Sequence, residues 1–258
     1  MPGPHDRTLR KPNYGIDAPT VVRNLTIAGL AALIAGLVLY AVIGPSRHFP
    51  AAVLAITGFA SALCLLATAA LMVWSSKSGK LRQRERLLDT LGLRGNENVL
   101  DVGCGRGLLL IGAARRLPLG KAFGIDLWQG IDQSGNSMDA TLANTRAENV
   151  DDRVEVRTAD MRDLPFPDAS MDAVVSSIAI HNVPDREGRA RAVREISRVL
   201  KPAGRIAIQD LRNIDEYVET LKGLGWNDVE TSGPNFVIFP PIRMITGRKP
   251  GHESIPKT

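Results

Sequence analysis

Three carboxylates and three glycines are the residues in this sequence best placed to do chemistry. In VLDVGCGRGLLLIGA (99–113), Asp101 closes an apolar run and Gly103, Gly105 and Gly107 follow it. A phosphate-cradling P-loop needs Gly-Lys-Ser or Gly-Lys-Thr at its end, whereas Gly107 precedes three leucines. A dinucleotide fingerprint needs a third glycine where Leu108 stands. Asp101 argues the same way, because a carboxylate there repels a pyrophosphate and attracts an ammonium. The loop suits a cationic ligand whose backbone passes close to glycines. Asp126 ends the next apolar run, KAFGID, where an acid can take both hydroxyls of a ribose. Asp160 ends a third run, placed to receive an exocyclic amine while Met161 packs on a flat base.

These residues need a scaffold that brings strand ends together, and the pattern supplies one. NVLDV (98–102), KAFGID (121–126), RVEVRTAD (153–160), MDAVVSSIAI (171–180) and RIAIQD (205–210) read as strands. Helices are expected over 108–117, 137–149, 186–200 and 215–224, and two closing apolar segments near 235–239 and 242–246 read as the last strands. The alternation predicts an α/β fold with a mainly parallel sheet, whose ligands bind beyond the carboxyl ends of the strands.

The first third of the chain follows another regime. No charged residue occurs from Leu25 to Gly44 or from Phe49 to Ser76. Each stretch is long enough, at 1.5 Å per residue, to cross a hydrocarbon core of about 30 Å. Four residues separate them, so a membrane hairpin is expected over 24–76. It is preceded by a cytoplasmic tail (1–23) and followed by an amphipathic connecting helix (77–96), the ligand-binding domain (97–250) and a C-terminal tail (251–258). Arg7, Arg10, Lys11 and Arg23 precede the first span; Lys77, Lys80, Arg82, Arg84 and Arg86 follow the second, and only Arg47 lies between. That asymmetry places the N-terminus and the catalytic domain on the cytoplasmic side of the cell membrane in a two-pass topology. Ala28, Ala32 and Gly36 form a small-residue stripe that would let the spans self-associate into a homo-oligomer.

Charge argues against nucleic acid. Residues 75–258 carry 27 Lys and Arg against 25 Asp and Glu, without the basic excess and interleaved aromatics of a nucleic-acid binder. The two cysteines, Cys64 and Cys104, fall in different regimes, and the four histidines lack ligand spacing, so neither a disulfide nor a metal is expected.

The motifs LDVGCGRG (100–107), GID (124–126), TADMRDLPFPDASMDAV (158–174) and LKPAGRIAIQD (200–210), in this order, resemble the class I S-adenosylmethionine-dependent methyltransferases. LPFPDASMD and AIHNVPD are most similar to the branch that includes the ubiquinone/menaquinone C-methyltransferases. The resemblance implies a Rossmann-like, mainly parallel seven-stranded sheet with helices on both faces, and S-adenosyl-L-methionine as cofactor. It places Asp101, Gly103, Cys104, Gly105 and Gly107 at the methionine part, with Asp101 near the amino group. Asp126 falls at the ribose, Leu127 or Trp128 along the adenine, and Asp160 with Met161 against the base, with Ser177 beside the donor.

Methyl transfer requires alignment of a nucleophile and exclusion of water. His181, just after the fourth strand, is the candidate base, with Asn182 orienting the acceptor. The insertion LWQGIDQSGN (127–136) supplies Gln129, Asp132, Gln133 and Asn136 as a polar rim for the substrate. A domain tethered to the bilayer suits a lipophilic small-molecule acceptor. The alternatives are a soluble or protein acceptor, or a catalytically silent cofactor-binding module at the membrane.

Overall fold

The computed structural model describes residues 11–43, 49–130 and 133–251. Its centre is a seven-stranded sheet of β1 (Asn98–Val102), β2 (Lys121–Asp126), β3 (Val154–Thr158), β4 (Met171–Ser177), β5 (Leu200–Asp210), β6 (Asp228–Thr231) and β7 (Arg243–Arg248). The order is β3-β2-β1-β4-β5-β7-β6. The first five strands run parallel and β7 lies antiparallel between β5 and β6. Central parallel strands are covered on both faces, which is why β1 and β4 are buried along almost their whole length.

Side-chain alternation divides the core in two. Leu100, Val102, Val174, Ile206 and Ile208 face α6 (Arg186–Val199), α7 (Ile214–Gly223) and the fully buried Trp226. Val99, Ala173, Val175 and Ala207 face the opposite layer, made by α3 (Lys80–Asp89) and α4 (Leu108–Ala114). The remaining helix, α5 (Met138–Ala147), starts at Ser137, whose hydroxyl accepts from Ala140 N at 3.2 Å. The arginines of α6 form ion pairs, Arg189 with Glu216 and Arg198 with both Asp168 and Glu195.

Two helices precede this domain, α1 (Pro19–Ile43) and α2 (Phe49–Trp74), long and apolar enough by length and composition to cross a membrane. They pack on each other through small residues. A Cβ on Gly58 would lie 3.3 Å from Gly36 Cα and 3.5 Å from the Ala32 carbonyl oxygen, and Ala55, Ala62 and Ala69 are buried. Ala32 and Gly36 therefore serve contact within the chain, and Ala28 is exposed. Large apolar side chains point outward instead, among them Ile34, Ile56 and Leu63.

The structure differs from the sequence expectations at three places. The connecting helix expected over 77–96 ends at Asp89, and a π-helical turn, Ser75–Gly79, joins it directly to α2. Residues 13–17 are no free tail, since they lie across the domain, with Asn13 N donating to Asn144 and Ile16 N to Ser134. The sixth strand is DVET (228–231), and 235–239 is a loop bridged only at Asn235 and Ile242. DVET was hidden because an edge strand with acids on it lacks an apolar signature. The apolar run 235–239 packs on the helix instead of on the sheet: Phe239 N donates to Ser75 Oγ at 2.9 Å, and a Cβ on Gly79 would collide with the Val237 carbonyl oxygen.

Candidate active site

The three acids end neighbouring strands of one sheet. Strands about 4.8 Å apart spread Asp101, Asp126 and Asp160 over roughly 10 Å of its carboxyl edge. There they border a cleft that holds about 1230 Å³ of empty space, its open mouth included.

The glycine loop forms one wall. Gly103 N and Cys104 N both donate to the Ile125 carbonyl at 2.9 Å, which ties the loop to the end of β2. Gly103 has φ +76°, and a Cβ there would strike the Cβ of Ala179. A glycine is therefore required both by conformation and by space. Gly107 is not a cleft wall but the left-handed residue before α4. Thr141 and Asn144 of α5 donate to the carbonyls of Gly105 (2.6 Å) and Arg106 (2.9 Å) and hold the loop from behind.

Asp101 is 2 % exposed and its Oδ2 accepts from Leu110 N at 2.8 Å, in the first turn of α4. Burial pushes its carboxyl up to about 8, the nearby Asp126 adds to this, and the Leu110 N–H opposes it. Asp126 is a junction: Oδ2 accepts from Gly105 N (2.8 Å), and Oδ1 from Trp128 N (2.6 Å) and Asn136 Nδ2 (3.2 Å). Asp160 lines the cleft with its carboxylate gripped by the Arg162 guanidinium, at 2.6 Å for the shortest contact, which lowers its pKa. Cys104 is buried in the cleft wall, and burial drives its thiol well up, away from nucleophilic chemistry.

Leu127, Gln129, Gln133, Asn136, Met161, Ser177 and Asn182 also line the cleft. Asp132 lies outside the described residues. Trp128 is a correction: it turns to β3, its Nε1 donating to Thr158 Oγ1 at 2.7 Å, and Leu127 is the residue left facing the cleft. Gln133 borders the cleft and ties the N-terminal segment to the glycine loop. Its Oε1 accepts from Arg106 N, and its Nε2 donates to the Tyr14 carbonyl and to Asp17 Oδ1.

His181 is the second correction. Its ring does not line the cleft. Nδ1 stands 2.5 Å from Oδ1 of the buried Asp210, and His181 N donates to Asp210 Oδ2 at 3.1 Å. Tyr217 Oη also donates to that oxygen, at 3.2 Å. A carboxylate this deep needs several donors, and the histidine is one of them.

Sequence reasoning missed the roof. Lys80, 5 % exposed, donates to the carbonyls of Tyr14 (2.7 Å) and Gly15 (2.9 Å) and to Asp17 Oδ1 (3.1 Å), and both Lys80 and Asp17 border the cleft. As a basic residue after an apolar span, Lys80 carried only a topological signal. Lys80→Met is expected to free residues 13–17, read as roughly 10- to 100-fold faster amide exchange there, because charged hydrogen bonds contribute about 1.5–3 kcal/mol each. Unchanged exchange would show that the segment is held without Lys80, by Asn144, Ser134, Gln133 and Ser76.

The residues fit a donor with a positively charged amino-acid end and a nucleoside. An acid buried at the glycine loop faces the first, and an acid ending β2 with apolar walls at Leu127 and Met161 faces the second. Among the described residues no cluster of His, Cys, Asp or Glu could hold a metal.

Residues 100–208 match the family model described as a methyltransferase domain. The chain is 36% identical over 142 residues to a 27-O-demethylrifamycin SV methyltransferase of Amycolatopsis mediterranei, covering 53% of this chain and 48% of that protein. It is 29% identical over 154 residues to a demethylmenaquinone methyltransferase of Lactobacillus johnsonii, covering 59% and 58%. The chain thus spans about half the length of the curated relatives it matches. Among solved structures, an S-adenosyl-L-methionine-dependent methyltransferase from Methanococcus maripaludis shares the fold, with TM-score 0.55, 19% identity and coverage of 69% and 88%. So does the Haemonchus contortus phosphoethanolamine N-methyltransferase 2 bound to S-adenosyl-L-methionine, with TM-score 0.54, 18% identity and coverage of 66% and 52%.

Proposed function

We propose, from the match of residues 100–208 to a methyltransferase-domain model, that the chain is a membrane-anchored class I S-adenosylmethionine-dependent methyltransferase of a lipophilic small molecule. One observation carries this reading: the donor cleft and the helix leaving the second apolar span share walls. Lys80 of α3 borders the cleft, and so does Ile238, from the loop docked on Ser75 and Gly79. The outward-facing apolar side chains of α1 and α2, with small residues packed between the helices, support placement in a bilayer. The relatives acting on rifamycin and menaquinone precursors, by their names, support a small, largely apolar acceptor.

The donor supplies a sulfonium methyl group already activated for direct in-line transfer. Asp101 and Asp126 hold and orient the donor's ends, and the glycine loop lets it lie against the backbone. Ile178, Val183, Pro184 and Ile238 wall off water at the other end of the cleft, and Asn182 offers an amide to the acceptor. His181 turns its ring onto the buried Asp210, off the cleft, and so holds the turn that carries Asn182.

The test is incubation of the full chain, in lipid nanodiscs, with isotope-labelled donor and a membrane lipid extract. The expected product is a lipid-phase species heavier by one labelled CH2 unit; label confined to water-soluble or protein products would overturn the lipophilic acceptor. With the acceptor in hand, Asn182→Ala is expected to lower kcat/KM for the acceptor by roughly 2- to 10-fold, the loss of about 0.5–1.5 kcal/mol for one neutral hydrogen bond, while leaving donor affinity unchanged. Unchanged acceptor kinetics would remove Asn182 from the acceptor's contacts.

A further inference from the structure

The loop between β6 and β7 runs along α3 and its preceding π-turn in the direction of the apolar span. Asn235 Nδ2 donates to Gln83 Oε1 at 2.8 Å; Val237 lies against Gly79, one turn nearer the span; Phe239 N bonds to Ser75, next to Trp74 where α2 ends. At Pro240-Pro241 the chain turns back, and Ile242 pairs with Asn235. The tip Phe236–Pro241, sequence FVIFPP, contains no polar side chain. Phe236 is 70% exposed, whereas Ile238 is 4% exposed and forms part of the cleft wall. Surface loop tips are ordinarily polar, and an apolar one pointing at the root of a candidate span calls for an apolar or interfacial neighbour.

We propose that this tip lies in the headgroup–acyl boundary of the bilayer, with Phe236 as its anchor, so that the wall made by Ile238 is the doorway through which the acceptor passes from lipid to cleft. Three features select a lipid surface over a protein partner. Phe239 is level with the end of α2, and Phe236 stands beside Gln83 and Arg86 about two to three helical turns further on, so the tip slopes from the end of the span into the layer where headgroups lie. Arg86 shares the shallow groove that holds Phe236, and Lys77 and Arg82 are exposed on the same helical stretch, placing cations where anionic headgroups lie. Phe239, bonded to Ser75 at the end of α2, also matches the aromatic and apolar composition of interfacial segments. The inference rests on the membrane reading of α1 and α2.

The test is spin-label depth measurement on the full chain in nanodiscs of phosphatidylcholine and phosphatidylglycerol. One label is placed at Phe236→Cys in a Cys64→Ala background, a second at Leu119→Cys in the same background, and a third at native Cys64. Leu119 is exposed at the opposite edge of the sheet, Cys64 is exposed on α2, and Cys104 is buried. The label at 236 is expected to collide more with oxygen and less with a water-soluble nickel chelate than the label at 119. Equal nickel access at 236 and 119 would overturn the proposal. A label at Cys64 that reads as water-exposed would overturn the membrane reading itself, so the two failures are distinguishable.

Discussion

Asp101→Asn is expected to keep the fold and to lose donor affinity by roughly 30- to 1000-fold, the cost of about 2–4 kcal/mol that follows removal of one partner from a buried charge pair. The amide oxygen can still accept from Leu110 N, so the first turn of α4 stays capped. Asp101→Ala should lose affinity and, in addition, about 1–3 kcal/mol of stability, because the Leu110 N–H would then be buried unpaired. Proton linkage gives a second readout. The folded-state pKa of Asp101 is raised, by burial first, to about 8. A carboxyl raised in this way binds its proton in the folded chain and releases it on unfolding, so its contribution to stability declines as pH rises from about 4 to about 8. An arriving ammonium reverses the preference and expels the proton. Calorimetry near pH 6.5, in buffers of different ionisation enthalpy, should show close to one proton released on S-adenosylmethionine binding to the wild type and none with Asp101→Asn. Affinity within threefold of wild type, with unchanged proton release, would reduce Asp101 to a helix cap.

Gly103→Ala is expected to have the larger effect on stability. An alanine at φ +76° is strained by about 1–3 kcal/mol, and its methyl would displace Ala179 at a further cost of about 1–3 kcal/mol. Together these take roughly 2–6 kcal/mol from a fold whose total stability is on the order of 5–15 kcal/mol. The thermal midpoint should fall by about 2–4 °C for each kcal/mol lost. Donor binding should disappear too, since relief of the clash means parting the glycine loop from either the Ile125 carbonyl or the 178–179 turn. Gly130→Ala is the control: nothing lies within 4 Å of its added Cβ, and no change in midpoint is expected. A Gly103→Ala midpoint as high as that control would show that the loop yields cheaply and that its tight approach to Ala179 is not needed.

Much of the fold could be read from local pattern. Asn98–Val102 and Lys121–Asp126 fall on the residues expected, because a central parallel strand is covered on both faces and gathers its apolar residues in one short run. The acids that close β1 and β2 belong to the same signal. β6 could not be read, since an edge strand buries only one partial face, here Val229. The apolar run 235–239 misled for a related reason: apolarity records that a surface is covered, not by what.

What the sequence by itself determined is the alternation of the first five strands with helices, the two long apolar helices, and the acids and glycines that border the cleft. These are local properties, written in periodicity and in motif spacing. Only the tertiary structure decided how the cleft is walled. It set Lys80 against Asp17, which lie 63 positions apart, joined Asn235 through Gln83 and Gln209 to Ser177, and turned His181 toward Asp210. Each of these pairs is a polar residue satisfied by a distant one. A lysine after an apolar span or a histidine after a strand looks the same in sequence whatever partner it finds, and the partner is chosen by the requirement that buried polar groups be paired once the hairpin helix packs on the sheet.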